Sequence, residues 1–176
     1  MNRRTVLQGL AALAALPLLP ACSRAAAPPL PVGTTAITPL GHPATFWRDK
    51  VSPAAYEVLF EENTEPSSSS PLNDEKRDGS FICAACYLPL FESAAKFESG
   101  TGWPSFTRAI AGHMGTKRDF VLLIPRTEYH CARCGGHQGH VFDDGPGPEG
   151  TRFCNNGLSL RFEPNDDSTD EGGGNG

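Results

Sequence analysis

The residues best suited to do chemistry in this sequence are its cysteines, and their spacing divides them into three classes. The six are Cys22 at the end of an apolar leader, the C-x-x-C pairs Cys83/Cys86 and Cys131/Cys134, and Cys154 in the segment GTRFCNNGLSLRF. Two C-x-x-C pairs that lie far apart in a chain can converge on one tetrahedral zinc ion, whose thiolate ligands are then unavailable for reaction. Cys154 is therefore the thiol of the folded part that remains for catalysis.

The doubled C-x-x-C spacing predicts a structural metal site with one Zn²⁺ per chain. Gly135 and Gly136 follow the second pair and give its backbone the freedom that a metal knuckle needs. Two other interpretations stay open: in an oxidising compartment the same cysteines could form disulfides, and a single C-x-x-C could be a redox motif. His137 and His140 could also ligate a metal locally, but four thiolates would free both histidines for other work.

The residues around Cys154 suggest how its thiol could be made reactive. Arg152 and Asn156 alternate with it, so on a strand a cation and an amide would share its face. His137 and His140 could transfer protons at the same site. The alternatives are that Cys154 is a small buried apolar residue and that the histidines only cap the metal knuckle.

The loop from Gly100 to Phe106, with the sequence GTGWPSF, is too rich in glycine and proline to be a regular element. Trp103 in this loop is a candidate aromatic wall for an apolar substrate, and Phe106 is a second candidate contact. The alternative for Trp103 is an ordinary core tryptophan.

The elements that must position these residues are mainly short strands. Ser52-Pro53 is a helix start, and the helix should end by Asn63. Pro66 to Pro71 encloses a four-serine surface loop. Strands are predicted at 121–124, 128–131, 141–142, 151–154 and 158–162. The fold class is thus mainly antiparallel β with a few short helices.

The ends of the chain indicate an exported protein. Arg3-Arg4 and the following Leu/Ala run resemble a twin-arginine export signal over residues 1–22, and Leu19 to Cys22 resembles a lipobox that would lipidate Cys22. A plain secretory signal or an uncleaved anchor is the alternative. Residues 23–42 resemble a Pro/Ala-rich linker, and residues 165–176 an acidic Gly-rich tail.

The charge of the chain argues against one class of partner. The formal net charge is −5 over 176 residues, and acidic residues gather near the C-terminus. No surface that would attract phosphate is evident, so nucleic acid is not an expected partner. A membrane would be contacted only through a lipid on Cys22.

Three motifs together resemble one known family. KFESGTGWPSF, the paired C-x-x-C motifs and RTEYHCARCGGHQGHVFDDGPGPEGTRFCNNGLSLRF are similar to methionine-R-sulfoxide reductase, the B-type enzyme, over residues 43–164. The resemblance implies two antiparallel sheets forming a β-tent, a four-cysteine zinc site away from the catalytic centre, and Cys154 as nucleophile. It also implies that Trp103 holds the sulfoxide methyl group. The residues implied to order the substrate oxygen and the proton donor, or to lie near the thiolate, are His137, His140, Asn156 and Arg152.

The sequence departs from the family pattern where many members carry a second cysteine. Thr101 stands in that place in the loop, and no spare cysteine remains in the domain. The resemblance and the export signal together predict a monomeric enzyme that reduces oxidised proteins or peptides in the periplasm or cell envelope. A thioredoxin-like protein or a small thiol would reduce its Cys154 sulfenic acid directly. Two rivals remain: a zinc-knuckle binding module, and a thiol-disulfide oxidoreductase that uses the C-x-x-C pairs.

Overall fold

The structure is a computed structural model that describes residues 36–120 and 125–165. Within these ranges it contains one α-helix and nine β-strands, joined by short 3₁₀ turns. The helix α1 is Pro53–Glu61, and the strands are β1 Gly79–Cys83, β2 Pro89–Glu92, β3 Lys96–Phe97, β4 Ser105–Phe106, β5 Met114–Asp119, β6 Arg126–Cys131, β7 His137–Phe142, β8 Arg152–Asn155 and β9 Leu160–Pro164. The predicted export signal, the linker up to residue 35 and nearly all of the acidic tail lie outside the described residues.

The strands form two antiparallel sheets. One has three strands in the order β2-β1-β9, and the other has six in the order β3-β4-β8-β7-β6-β5. The prediction of a mainly β fold with two antiparallel sheets is confirmed. Strand β8 lies inside the larger sheet between β4 and β7, so the residues around Cys154 are held from both sides.

Helix α1 forms where the sequence predicts it. The Ser52 side chain accepts a hydrogen bond from the backbone N–H of Ala55 at 3.2 Å, and Pro53 occupies the first helical position. Tyr56 and Leu59 point into the core, and Glu62 ends the helix in a left-handed conformation with φ of 59°. None of the helices within the described ranges has the length and apolar character needed to span a bilayer.

The strands of the structure differ from the predicted strands at Leu160 and at β5. The strand expected over 158–162 begins later, at Leu160, because Gly157–Ser159 form a 3₁₀ turn first. Strand β5 was not predicted, because its sequence MGTKRD is polar and half-exposed at the sheet edge. The predicted strand at 121–124 lies outside the described residues.

The core is largely aromatic, and it contains a residue that the sequence assigned to the substrate. Phe106 is 0% exposed and stacks on Phe91 with ring centroids 4.0 Å apart, while Phe81 meets it edge-on at 4.9 Å. Within the glycine- and proline-rich loop, Ser105–Phe106 also pairs with β8, so it is a strand. Phe106 is thus a core residue in this structure, with Phe91 stacked on its ring and Phe81 packed edge-on against it, and its predicted contact with the substrate stays a prediction.

Candidate active site and metal centre

A cavity of about 130 Å³ opens beside the middle of β8. It is lined by Thr64, Trp103, Arg126, Gly139, His140, Phe142, Cys154, Asn155 and Asn156. Cys154 enters it from β8, opposite Ser105 of β4 on one side and His140 of β7 on the other. The sheet therefore brings together a thiol, an imidazole, an indole and two amides from distant parts of the sequence.

Burial and charge oppose each other at the Cys154 thiol. Burial raises the pKa of Cys154 above its ordinary value, and this effect outweighs the lowering by the nearby Arg152 charge and by the Thr101 hydroxyl. Thr101 is itself held by Ser99, whose hydroxyl lies 2.8 Å from it. In the free protein at neutral pH, Cys154 is therefore a thiol that carries its proton.

Arg152 lies behind the cavity wall. Its guanidinium donates two hydrogen bonds to the Asp144 carboxylate, at 2.7 and 2.8 Å, and lies 4.4 Å from the centre of the Phe142 ring. The residue is 5% exposed and is absent from the described cavity lining. Arg152 therefore influences the Cys154 thiol through its charge, as the alternation on the strand suggested.

His140 is the histidine that faces the cavity. Its Nε2 lies 2.8 Å from an Asp119 oxygen, and the same oxygen accepts a hydrogen bond from Arg126 at 2.6 Å. Burial lowers the pKa of His140 below its ordinary value, although Asp119 acts in the opposite direction. A neutral imidazole, held in place by a carboxylate, thus stands beside the thiol at neutral pH.

His137 is placed one layer deeper than the sequence suggested. It is 2% exposed, and its Nδ1 lies 3.0 Å from Glu128, whose other carboxylate oxygen meets Lys117 at 3.2 Å. Its ring centroid is 5.5 Å from that of His140. His137 is not among the described residues that line the cavity, and it lies behind His140.

Glu65 connects the loop that carries Trp103 to the segment that follows Cys154. Its carboxylate accepts hydrogen bonds from the backbone N–H groups of Gly157 and Leu158, at 2.6 and 2.8 Å. Its own carbonyl accepts from the Trp103 indole N–H at 3.1 Å, and its own N–H donates to the Asn156 side chain at 3.0 Å. The buried Glu65, which is 3% exposed, therefore holds Trp103 and Asn156 through its backbone, and its carboxylate holds the backbone of Gly157 and Leu158.

The four-serine loop supports the loop that carries Trp103. The Ser68 N–H donates to the Gly102 carbonyl at 2.7 Å, and the Ser67 hydroxyl donates to the Thr101 carbonyl at 2.9 Å. Gly102 has φ of 86°, and a Cβ there would lie 2.1 Å from the Ser67 hydroxyl oxygen. The close approach of the two loops thus requires glycine at position 102.

The four cysteines of the two C-x-x-C pairs form one cluster, with their sulfur atoms within 4.8 Å of one another. The Cys83 and Cys134 sulfurs are 3.6 Å apart, and those of Cys86 and Cys131 are 3.4 Å apart. Tetrahedral Zn–S bonds of about 2.3 Å would place sulfurs about 3.8 Å apart, so the cluster fits such an ion. Of the described residues, only these four cysteines form a group of possible metal ligands.

Sequence reasoning missed several residues that shape the site, namely Thr64, Glu65, Asp119, Arg126, Phe142 and Gln138. Asp119 and Arg126 lie at the paired ends of β5 and β6, a relation that only the strand register creates. Glu65 is 91 residues from Asn156 in sequence. The strand predicted at 128–131 did not include Arg126, although β6 begins there in the structure.

Comparison with known proteins gives consistent matches. The family model described as the SelR domain matches residues 51–164. The peptide methionine sulfoxide reductase MsrB of Bradyrhizobium diazoefficiens is 50% identical over 119 residues, which are 67% of this chain and 86% of that protein. The MsrB of Thiobacillus denitrificans is 47% identical over 121 residues, 68% of this chain and 92% of that protein. Peptide methionine sulfoxide reductase B1, chloroplastic, of Arabidopsis thaliana is 40% identical over 117 residues, 66% of this chain and 58% of that protein.

Proposed function

The chain belongs to the SelR domain family of peptide methionine sulfoxide reductases, and from this premise we propose how its own residues reduce methionine-R-sulfoxide to methionine. The nucleophile in this proposal is Cys154. One observation carries it: of the cysteines in the described ranges, only Cys154 lines the cavity, where it faces His140 and Trp103.

The first step moves one oxygen atom and two electrons. The Cys154 sulfur attacks the sulfoxide sulfur, the S–O bond of the substrate breaks, and the oxygen passes to the Cys154 sulfur. Methionine leaves reduced by two electrons, and Cys154 becomes a sulfenic acid, oxidised by two. The two clustered C-x-x-C pairs argue against the rival thiol-disulfide oxidoreductase, since thiolates held by a metal are unavailable for exchange.

The protonation states found for Cys154 and His140 suit this step. Conversion of a thiol and a sulfoxide into a sulfenic acid and a sulfide needs no proton from outside. A protonated Cys154 thus supplies the proton that the substrate oxygen requires, and neutral His140 can accept it and pass it on. His137 would support His140 from behind, and Asn156 would hold the oxygen by hydrogen bonding.

The shape of the cavity accounts for selection of one epimer. Trp103 and Phe142 form an apolar wall for the methyl group, whereas His140 and Asn156 form the polar side that suits the sulfoxide oxygen. The methionine backbone must point outward. Three different groups around one stereogenic sulfur then fit the cavity in only one configuration, which we assign as R.

Regeneration of Cys154 requires an external reductant in this proposal. Thr101 faces the thiol where many family members have a cysteine, and Cys154 lies outside the four-cysteine cluster. One external thiol would attack the sulfenic acid and release water. A second thiol would then break the mixed disulfide and restore the Cys154 thiol. A thioredoxin-like protein or a small thiol would serve as donor, with oxidised proteins or peptides as substrates of a monomeric enzyme.

We also propose that the clustered cysteines bind zinc. Thiolate ligands in a closed tetrahedral set favour this ion and would make it structural, with no open position for substrate. When bound, the ion would supply cross-linking between the β1–β2 hairpin and the turn between β6 and β7. Metal analysis of purified protein by mass spectrometry would test its identity, and two disulfides in place of one zinc would contradict it.

Export remains a proposal that rests on the sequence of the N-terminus. Arg3-Arg4, the apolar run and Cys22 support delivery to the periplasm or cell envelope, with a lipid anchor on Cys22. Labelling of cells with a radioactive fatty acid tests the anchor. The wild type should take up label and Cys22→Ala should not, and an unlabelled wild type would contradict the anchor.

The catalytic proposal is tested by Cys154→Ser with separated sulfoxide epimers and dithiothreitol as reductant. We expect reduction of the R epimer to fall by at least about 1,000-fold, because a hydroxyl is a far poorer nucleophile than a thiol. The S epimer should be untouched by both proteins. Cys22→Ser is the matched control and should retain wild-type activity, whereas reduction of the R epimer by Cys154→Ser at a rate close to that of the wild type would contradict the assignment.

A further inference from the structure

Gln138 occupies the space between the metal centre and the cavity. It lies on β7 two residues before His140, is 0% exposed, and belongs neither to the metal ligands nor to the residues that line the cavity. Glutamine is rarely buried so completely, because both ends of its amide then need hydrogen-bond partners. Here the two ends have partners in two different sites.

On the metal side, the Gln138 amide N–H₂ donates a hydrogen bond to the Cys83 sulfur at 3.7 Å. A metal-bound thiolate can only accept hydrogen bonds, so it dictates which end of the amide faces it. The backbone N–H of Gly136 makes a similar contact with the Cys134 sulfur at 3.4 Å. Such outer contacts orient thiolate ligands and strengthen the hold on the ion.

On the cavity side, Gln138 makes three hydrogen bonds with the two residues that follow Cys154. Its side-chain oxygen accepts from the Asn155 amide at 3.4 Å. Its carbonyl accepts from the backbone N–H of Asn156 at 2.8 Å and from the Asn156 side chain at 3.1 Å. The Gln138 side chain is thus a direct partner of Asn155, and its backbone carbonyl is a partner of Asn156, and both asparagines line the substrate cavity.

Asn155 carries this contact further into the site. Its side-chain oxygen accepts from the Tyr129 hydroxyl at 2.8 Å, and its backbone N–H donates to the Pro104 carbonyl at 2.9 Å. Pro104 follows Trp103 directly, so the same short network meets both the nucleophile strand and the aromatic wall. All of these groups are buried, where an unmade hydrogen bond costs about 1–3 kcal/mol.

We propose that Gln138 is a positioning residue that couples the metal centre to the catalytic segment Cys154–Asn156. The thiolate of Cys83 fixes the orientation of the Gln138 amide, and the fixed amide holds Asn155. The inference deepens the proposed function and rests on it where activity is measured, whereas its metal and NMR readouts do not depend on any reaction.

The first test uses Gln138→Met, which keeps the volume of the side chain and removes both of its hydrogen bonds. We expect chelator-driven metal release to accelerate by about 10-fold or more, the range found for lost outer-shell partners. We also expect kcat to fall by about 10-fold with KM within about twofold, because the wall that binds substrate remains. Ser159→Ala is the matched control, because it also truncates a buried polar side chain near the metal centre. The Ser159 backbone carbonyl, which accepts a hydrogen bond from the Ala84 N–H of the first C-x-x-C pair, is kept in this variant. Neither the rate of metal release nor kcat should change. Movement of only one of the two quantities, or of neither, would overturn the coupling.

The second test needs no mutation, so it remains valid if Gln138→Met fails to fold. Replacement of zinc by the larger Cd²⁺ in the wild-type protein should move the Cys83 sulfur. We expect the side-chain amide NMR signals of Gln138, Asn155 and Asn156 to shift together. The amide of Asn73, which donates to Gly102 at 3.1 Å, should stay in place as the control. A shift confined to Gln138 would show that the contact ends there and would reject the proposal.

Discussion

The metal centre and the substrate cavity are built in different ways, although β6 supplies Cys131 to the first and Arg126 to the second. All four metal-binding sulfurs come from two C-x-x-C pairs, so each half of that site is a local feature of the chain. The cavity draws on residues from Thr64 to Asn156, which come from three strands, β6, β7 and β8, and from the segments around Thr64, Trp103 and Asn156. The metal centre thus depends on spacing, whereas the cavity depends on strand register and on one buried carboxylate.

This difference predicts that equal chemical changes have unequal consequences in the two regions. Loss of a metal ligand should lower the stability of the whole fold, since the ion would join elements that are distant in the chain. Loss of a cavity residue should lower mainly the rate of the reaction.

The sharpest contrast comes from the same substitution made in each region. Cys131→Ser should abolish the cooperative thermal transition, because structural zinc supplies about 10–16 kcal/mol of apparent binding free energy in small metal-dependent folds. Cys154→Ser should unfold within a few degrees of the wild type, since it changes one atom that no described residue requires for packing. Differential scanning calorimetry of the two variants decides this. Equal losses of Tm would remove the distinction between the regions.

Glu65→Gln tests whether one carboxylate holds the cavity together. An amide can accept only on one side, so the backbone N–H of Gly157 or Leu158 loses its partner. Loss of a hydrogen bond to a buried charge costs about 1.5–3 kcal/mol, which corresponds to a fall of about 10- to 100-fold if it acts on the transition state.

Steady-state kinetics with a sulfoxide peptide measures the effect of Glu65→Gln. The exposed helix residue Glu57 supplies the control, because Glu57→Gln should leave kcat and KM unchanged. Metal content should stay at the wild-type level in both variants. Loss of metal from Glu65→Gln would show that the cavity and the metal centre are not separable in this way.

Arg152→Met tests the charge balance at the nucleophile. Burial raises the pKa of Cys154 and Arg152 lowers it, so removal of the cation should move the pKa further upward. A higher pKa lowers the fraction of thiolate at a fixed neutral pH, and the thiolate is the form that iodoacetamide alkylates. Alkylation of Arg152→Met should therefore be about tenfold slower than that of the wild type. Arg161→Met, on the exposed part of β9, should leave the alkylation profile unchanged. A profile that moves to lower pH in Arg152→Met would contradict the charge balance.

Asp119→Asn should give the smallest effect, a shift in the titration of His140. The Asp119 carboxylate favours the charged imidazolium, so its removal should lower the already depressed pKa of His140 further. Histidine NMR titration would show a midpoint below that of the wild type, and the imidazole would stay neutral at neutral pH. Asp143→Asn, an exposed neighbour in the loop after β7, is the control. A midpoint that rises in Asp119→Asn would contradict the stated role of the carboxylate.

The same contrast explains how much of the molecule could be predicted from its sequence. The two C-x-x-C pairs predicted the metal cluster because both sulfurs of a pair are neighbours in the chain, and the Ser52-Pro53 start predicted α1 for the same local reason. Strand β5 and its last residue Asp119 escaped prediction, because a polar edge strand carries no alternating pattern.

Long-range contacts set the limit for the cavity. Cys154 and Trp103 were recognised by residue type, but Phe106 was assigned to the substrate because nothing in the loop sequence reveals stacking on Phe91. Glu65 was missed because its partners are backbone N–H groups, which leave no trace in residue types. Sequence patterns thus predicted the reactive groups, while the residues that place them became visible only with the fold.

One single-turnover experiment tests the central claim that Cys154 alone carries the oxygen from substrate to reductant. The wild-type protein is mixed with a methionine-R-sulfoxide peptide in the absence of any reductant, and dimedone is present to trap sulfenic acid. We expect one methionine per chain and a dimedone adduct at Cys154 in peptide mass spectrometry, with all four metal-binding cysteines unmodified. A disulfide between Cys154 and another cysteine of the same chain, or methionine formed without modification of Cys154, would contradict the account.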